Sequence, residues 1–180
     1  MADKPTTNEK VISQTNEEII KEAQRIEQDT LYSAKGHLTA AHFWSALHFR
    51  LGLPTSVLAA IAAASAFLKT DKNVVAGSIS TLVAALSAMT TFLNPNARAA
   101  AHLQAGNSYD ALRNKARIFR TIECWGGDSD SVLTKKVKDL SGEKDKLNRE
   151  SPQPPRWAYQ IAKKGIAAGE AEYAVDRQQP

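Results

Sequence analysis

Two uncharged stretches lie next to each other in the middle of this chain. Residues 51–68 form a stretch of 18 residues and residues 73–97 one of 25, and the four residues between them include Lys69, Asp71 and Lys72. A helix rises about 1.5 Å per residue and a bilayer's hydrocarbon core is about 30 Å thick, so each stretch is long enough, or nearly so, to cross it. The short connection makes the two helices antiparallel neighbours. The sequence therefore predicts a transmembrane hairpin over residues 51–97, with spans at 51–68 and 73–94.

A hydrophobic hairpin inside a soluble helical protein is the alternative interpretation. It is favoured by the alanine-rich first stretch, because alanine contributes little to membrane insertion. The overall composition, with 43% hydrophobic and 23% charged residues, looks like that of a soluble protein, but a small membrane hairpin between polar arms would average to the same values. A 25-residue helix in so small a soluble domain would nevertheless show a charged stripe, whereas the polar residues here are only Ser, Thr and Asn. We therefore expect helices that cross a membrane.

Small residues recur every four positions in both stretches. Lipid provides no hydrophobic drive for helix association, so small side chains that let backbones approach closely indicate packing faces. Packing the two helices of one hairpin against each other needs only one such face on each helix. The additional small positions therefore favour association between protomers. The alternative is that alanine-rich helices are simply compact. The candidate packing or pore-lining residues are Gly52, Ser56, Ala60, Ala64, Gly77, Ser80, Thr81, Ala84 and Ala88.

Hydroxyl groups provide most of the polarity inside the predicted spans. A Ser or Thr hydroxyl can bond to a carbonyl of its own helix and then needs no function. In a cluster of hairpins the same groups would line a water-filled path. Neither span contains Asp, Glu, Lys, Arg or His, which argues against a proton-coupled transporter. Any conduction would be that of a weakly selective pore.

The segment before the spans is predicted to be a polar helix. Residues 1–14 are polar and are expected to be a flexible N-terminus. Thr15 and Glu18 have the spacing of a capping box, and apolar residues then recur at helical intervals, which predicts an amphipathic helix over residues 15–50. Pro54 predicts a kink or break where this helix meets the first span.

Residues 95–176 are predicted to be a helical region, followed by a tail at 177–180. Asn94 suits an N-cap and Pro95 suits the first position of a helix. That helix carries an apolar seam with four-three-four-three spacing, and the N-terminal helix is its obvious partner. The seam consists of Ala105, Tyr109, Leu112, Ala116 and Phe119.

Two shorter helices are expected beyond the seam. A Cys-Trp-Gly-Gly-Asp turn precedes a charged helix from Ser131 to about Glu150, whose apolar positions are Val132, Val137 and Leu140. A proline-rich linker then leads to a last helix from Arg156. This helix carries Trp157, Tyr159, Ile161, Ile166 and Tyr173.

The charges near the spans indicate the orientation of the hairpin. Within about 20 residues of the spans, six cations lie on the side of the termini and two lie in the connection. Both termini should therefore face the cytoplasm, with the chain crossing the membrane twice. The candidates for contact with lipid headgroups are Arg50, Arg98, Arg113 and Lys115; the alternative for such a basic stretch is a solvated helix face.

No residue pattern points to catalysis, a cofactor or a metal. His37, His42 and His48 are spaced by five and six residues, unlike the four-residue spacing of helical zinc ligands, so core or interfacial histidines are favoured. Cys124 is the single cysteine, which excludes an intramolecular disulfide. We expect no enzyme, because no nucleophile, metal cluster or nucleotide loop is evident.

Three motifs around the hairpin resemble those of a known family. They are Asp-Thr-Leu-Tyr-Ser-Ala-Lys-Gly-His at 29–37, His102 with Ala-Gly-Asn-x-Tyr-x-x-Leu at 105–112, and Pro-x-Trp-Ala-Tyr at 155–159. Together with the two spans, they are similar to the SLATT family over about residues 15–176. This family comprises two-transmembrane effector domains that are associated with nucleotide-synthesising SMODS and nucleotide-sensing SLOG proteins of bacterial conflict systems.

The resemblance implies a membrane effector that oligomerises and forms a pore, or disrupts the inner membrane, when a partner is activated. The implied partners are membrane lipid, further copies of the chain and a sensor or nucleotide-signalling protein, and no nucleic acid. We hypothesise that the N-terminal helix packs against the seam and gates the hairpin. The residues marked as gating or packing candidates are Tyr32, Lys35, His102, Gly106, Tyr109, Leu112 and Arg117.

Two other classes of protein remain open. A membrane-anchored scaffold or signalling adaptor without a pore would have the same hairpin, and a soluble helical adaptor would bury it. The expected fold is all-α: a two-helix transmembrane hairpin flanked by long amphipathic cytoplasmic helices.

Overall fold

The computed structural model describes the backbone of residues 7–67 and 73–174 and the side chains of residues 14–65 and 74–174. These residues form helices and turns and no strand, which confirms the all-α prediction. The connection at 69–72 and the tail at 177–180 lie outside the described residues. The helices are α1 (Thr7–Phe67), α2 (Asn73–Leu93), α3 (Pro95–Thr121), α4 (Asp130–Glu150) and α5 (Arg156–Ala167), with a 3-10 turn at Glu123–Trp125.

The chain divides into two compact units. The first, here called the core unit, contains the described residues up to Thr39 and those from His102 onward. The second, called the hairpin unit, contains Ala40–Ala101. Helices α1 and α3 each contribute residues to both units.

Helix α1 differs from the prediction at two places. It begins at Thr7, so residues 7–14, which were expected to be flexible, are helical. It also continues through Pro54, where a kink or a break was expected, so the chain is not broken there. Proline removes its own N–H from the helical ladder and its ring crowds the carbonyl four residues earlier, but both are tolerated inside apolar helices where nearby Ser or Thr side chains and other groups remain bonded. One such bond is donated by the Thr55 hydroxyl to the Leu51 carbonyl at 2.6 Å.

The junction between α2 and α3 follows the predicted capping. Asn94 has a φ of 42°, a left-handed conformation that asparagine adopts more readily than most residues. Its N–H bonds to the Thr90 carbonyl at the end of α2, and its Oδ1 accepts a bond from the Ala97 N–H at 3.4 Å. Pro95 is the first residue of α3. The junction therefore ends one helix and begins the next within a single residue.

The core unit is built on the predicted contact between α1 and the α3 seam. All five seam residues are buried, and apolar residues of α1 are buried with them. Arg120 Nε lies 2.9 Å from Glu27 Oε2, and Lys144 Nζ lies 2.9 Å from Asp29 Oδ2, so ion pairs join α3 and α4 to α1. One core cluster contains Ile19, Ala23, Ile26, Ala116, Phe119, Cys124, Leu133 and Val137.

Helix α4 buries Val137 as expected but differs from the prediction at one position, and α5 buries other residues than those expected. In α4, Leu133 is buried and Val132 is exposed, because Leu133, Val137 and Leu140 follow the i, i+4, i+7 spacing of one stripe. In α5 the buried residues are Ala158 and Ala162.

Helix α5 is also shorter than expected. It ends at Ala167, and Gly169 follows with a φ of 85°. The Gly169 N–H bonds to the Ile166 carbonyl and the Glu170 N–H to the Gly165 carbonyl, which is the Schellman arrangement of a helix end. Tyr173 therefore lies beyond the helix.

Candidate functional sites

The hairpin unit exposes a continuous apolar stripe along α1. Phe49, Leu53, Val57 and Ile61 are spaced by four residues and are 70%, 68%, 51% and 50% exposed. On α2, Val75, Leu82, Met89 and Phe92 are exposed as well. Both helices are long and apolar enough to cross a membrane, by length and composition, and their most apolar windows contain no buried residue. Stripes of this size on soluble monomers are rare, because they leave large apolar areas in water.

The half-buried residues of the two span helices form one stripe on each helix. Both stripes have three- and four-residue spacing, which indicates that the two helices cover each other along them. The α1 stripe contains Thr55, Leu58, Ala62 and Ser65, and the α2 stripe contains Ala76, Ile79, Val83, Leu86, Thr90 and Leu93.

Most of the predicted packing residues lie outside these stripes. Gly52 is half-buried, and the other candidates in the two spans are exposed: Ser56, Ala60, Ala64, Gly77, Ser80, Thr81, Ala84 and Ala88. A Cβ atom placed on Gly52 or Gly77 would meet nothing within 4 Å. Ser80 borders an open groove with Ala59, Ala62, Ala63 and Val83. Contacts within one chain therefore leave these small faces open.

Most hydroxyl groups of the spans are bonded within their own helix. The Ser56 hydroxyl donates to the Gly52 carbonyl at 3.0 Å, and the Thr81 hydroxyl donates to the Gly77 carbonyl at 2.9 Å. Ser65, Ser78, Thr90 and Thr91 also donate to carbonyls three or four residues before them. Such bonds satisfy a hydroxyl in an apolar environment without any water.

Aromatic and basic residues lie together near the ends of the spans in the hairpin unit. The Arg98 guanidinium lies 4.9 Å from the centre of the Trp44 ring, and Phe43 contacts that ring edge-on. Arg50 is exposed. Trp and Arg at the end of an apolar helix are typical of a membrane interface.

The other two headgroup candidates form ion pairs within the core unit. The Arg113 side chain is 13% exposed, with Nη1 3.6 Å from Asp110 Oδ1 and its guanidinium over the Tyr173 ring. Lys115 Nζ lies 2.8 Å from Glu143 Oε1. These contacts disfavour a role of Arg113 in binding lipid, whereas Lys115 is 57% exposed and its surface ion pair leaves it accessible.

Two histidines form a buried pair in the core unit. The Nδ1 atoms of His37 on α1 and His102 on α3 are 3.0 Å apart, and both side chains are buried. The Tyr109 ring stacks on His37 with 5.4 Å between centroids, and its hydroxyl donates to Asn148 Oδ1 at 2.8 Å. Polar groups of α1, α3 and α4 are therefore connected through the middle of the unit.

The short distance between the two rings restricts their protonation. One Nδ1 must donate its proton and the other must accept it, so two imidazolium rings would place two N–H groups face to face. Burial, and secondly the charge of His102, lower the pKa of His37 from 6.5 to about 4. His37 is therefore neutral at pH 7.

The remaining gating candidates lie in the contact between α1 and α3, are buried, or contact the segment after α4. A Cβ on Gly106 would lie 2.9 Å from Leu38 Cγ, so glycine permits the close approach of α1 and α3. Leu112 is fully buried. Three candidates contact the C-terminal segment: Tyr32 lies beside the Tyr159 ring, Lys35 pairs with Glu170 at 3.0 Å, and Arg117 lies over the Tyr173 ring.

Sequence spacing did not reveal the histidine pair, because its members lie 65 positions apart. A signal was nevertheless present. His37 follows Ala34 by three residues and His102 precedes Ala105 by three, so both histidines continue the buried seams of their helices.

The described part of the chain contains no group of three or more His, Cys, Asp or Glu side chains that could hold a metal ion. Burial, together with the negative charge of Glu123, raises the pKa of the Cys124 thiol. Such a thiol is a poor nucleophile. No protein-family model, curated protein or solved structure matches this chain.

Proposed function

We propose that this chain is a membrane effector of a bacterial conflict or antiphage system. It crosses the inner membrane twice with both termini in the cytoplasm, and it oligomerises to permeabilise that membrane when a partner protein activates it. The observation that carries the proposal is the exposed apolar stripe Phe49, Leu53, Val57 and Ile61 on α1.

The energetics of this stripe favour a lipid environment. Burying one side chain of this size contributes about 1.5–3 kcal/mol, so moving four of them from water into lipid provides a gain comparable to the net stability of a small protein. Lipid tails cover such a stripe without any partner protein. The hydroxyl groups bonded within their own helices fit the same environment, because they need no water.

The exposed small residues support association between protomers. Ser80, Ala84 and Ala88 on α2 leave room for the backbone of another helix, and contacts within the chain do not use them. An oligomer formed through this face would place the Ser80 hydroxyl at the contact between hairpins.

Helix α1 offers a route for activation. The same helix carries the buried contact with α3 in the core unit and the first span in the hairpin unit. A partner that loosens the core unit would therefore act on the helix that enters the membrane. The sensor or nucleotide-signalling partner that the sequence resemblance implies is a candidate for this role.

Crosslinking and dye release test the proposal together. In a Cys124→Ala background, Ser80→Cys should give a ladder of disulfide-linked oligomers in liposomes. Met89→Cys is the matched control, because it lies nine residues, or about two and a half turns, further along α2 and hence on the opposite face. Oligomers that release an entrapped dye support the effector. Oligomers that release none would favour a membrane scaffold, and a protein that alkaline carbonate extracts from membranes would refute both.

A further inference from the structure

Two arginines of α3 share one face of the helix and one aromatic neighbour. Arg113 and Arg117 are four residues apart, so their side chains lie on the same side of α3, one turn from each other. The centre of the Tyr173 ring is 5.6 Å from Arg113 Cζ and 5.1 Å from Arg117 Cζ. All three residues belong to the core unit, so their contact is described without reference to the hairpin unit.

The described residues do not satisfy all the hydrogen-bond donors of this pair. The Nε atoms of both arginines are buried and have no hydrogen-bond partner there. Asp110 Oδ1 is 3.6 Å from Arg113 Nη1, which is too far for a hydrogen bond, and Arg117 pairs with no carboxylate in the described part of the chain. By contrast, Arg120 of the same helix places its Nε 2.9 Å from Glu27 Oε2. Burying an N–H of a charged group without an acceptor is costly, so two such groups side by side indicate a binding site.

The chemistry of the pair suits a phosphate group. The Tyr173 ring attracts the guanidiniums through their charge and leaves both Nε–H donors unpaired. Nε and one Nη of an arginine form an edge that binds two oxygens of a phosphate or a carboxylate. Two such edges with two positive charges match the several oxygens and the double negative charge of a phosphate group better than those of a single carboxylate.

We propose that Arg113 and Arg117 bind the phosphate group of a soluble compound, and that Tyr173 covers this site. The Tyr173 side chain is 40% exposed, whereas that of Arg113 is 13% exposed, so the ring lies at the surface beside a more buried guanidinium. A partly exposed ring can move aside without opening the α3 seam. A lipid in a bilayer would have to bring its headgroup beneath this ring, which favours a soluble ligand. The site goes beyond the proposed function, because it requires neither a pore nor an oligomer.

Calorimetric titration with pyrophosphate tests the site in the full-length chain, purified in an uncharged detergent. We expect saturable binding by the unaltered chain and loss of that binding in Arg113→Gln, Arg117→Gln. Arg149→Gln, Arg156→Gln removes the same charge from exposed arginines of the core unit and should leave the Kd unchanged. Equal loss in the two double variants would overturn the proposal, because it would show only a general attraction to a basic protein.

Two further variants keep the test decisive if the first double variant folds poorly. Arg113→Lys, Arg117→Lys keeps both charges but lacks the Nε–Nη edge, and should raise the Kd by about tenfold or more, the effect of losing one charge-assisted hydrogen bond. Tyr173→Ala uncovers the site and should lower the Kd. A Kd that neither variant changes, or no binding of pyrophosphate by the unaltered chain and by Tyr173→Ala, would overturn the proposal.

A competition experiment identifies the source of the phosphate group. Short-chain phosphatidic acid, which carries a phosphate on a lipid, is added to the same micelles. We expect it to leave pyrophosphate bound, whereas displacement would assign the site to a lipid headgroup and overturn the soluble source. Dye release from liposomes is measured separately, so a failure of the effector function is distinguished from a failure of this site.

Discussion

The Nδ1 atoms of His37 and His102 lie 3.0 Å apart in the core unit, and the Tyr109 ring stacks on His37. The two histidines belong to different helices, so the contact between α1 and α3 includes a bond that depends on protonation. Its geometry accommodates one Nδ1 proton between the rings and excludes two.

The stability of the core unit should therefore depend on pH. The pKa of His37 is about 4 in the folded chain and about 6.5 when unfolded, so the unfolded chain binds the proton first as pH falls. Stability should be complete above about pH 6.5, fall as pH drops from there to about 4, and then level off with respect to this group. The expected loss is on the order of 3 kcal/mol. Denaturant unfolding, followed by tryptophan fluorescence in detergent, measures it.

Two variants identify the group responsible for this pH dependence. His37→Asn keeps a polar group at the position of Nδ1 and should flatten the profile between pH 6.5 and 4. His42→Asn alters an exposed histidine and should leave the profile unchanged. An unchanged profile in the His37 variant would contradict the assignment.

Gly106→Ala should destabilise the core unit by about 1–3 kcal/mol, because the new Cβ would lie 2.9 Å from Leu38 Cγ and Cδ2 in a packed interface. Gly142→Ala is the control, since a Cβ there meets nothing within 4 Å and alanine favours the helix by about 0.5–1 kcal/mol. Thermal unfolding of the two variants compares them. Equal effects would show that the contact between Gly106 and Leu38 is not tight.

Leu112→Ala should cost about 2–5 kcal/mol, because Leu112 is fully buried in the α3 seam. Leu103→Ala on the same helix alters a side chain that is half exposed, and should cost far less. Chemical denaturation gives both values. A similar loss in the two variants would indicate that the seam is not the core of this unit.

Cys124 should react slowly with a thiol reagent in the native chain, because its side chain is buried and its thiol pKa is raised. Adding denaturant should restore the rate of a free thiol. A cysteine introduced at the exposed Trp125 position, in a Cys124→Ala background, gives the reference rate for an accessible site. Rapid labelling of native Cys124 would mean that the Glu123–Trp125 turn opens readily.

Patterns with helical spacing predicted much of this fold. The seam from Ala105 to Phe119 is buried as expected, and Asn94 and Pro95 begin α3 as their capping preferences indicate. Both predictions rest on local preferences or on one face of one helix, which a sequence displays directly.

The features that sequence could not provide depend on contacts between distant residues. The sequence spacing of His37 and His102 does not mark them as a pair. Whether Leu133 or Val132 is buried depends on how α4 is rotated against the rest of the core. At Pro54 the helix is not broken, because the loss of one backbone hydrogen bond is small beside the bonds that the apolar helix keeps on both sides.

The environment of Val57 tests the central proposal most directly. A spin label attached to Val57→Cys, in a Cys124→Ala protein in liposomes, is exposed in turn to oxygen, which concentrates in lipid, and to a nickel chelate, which stays in water. We expect high collision rates with oxygen and low rates with the chelate. A label that the chelate reaches, or that neither reagent reaches, would contradict a lipid-facing helix.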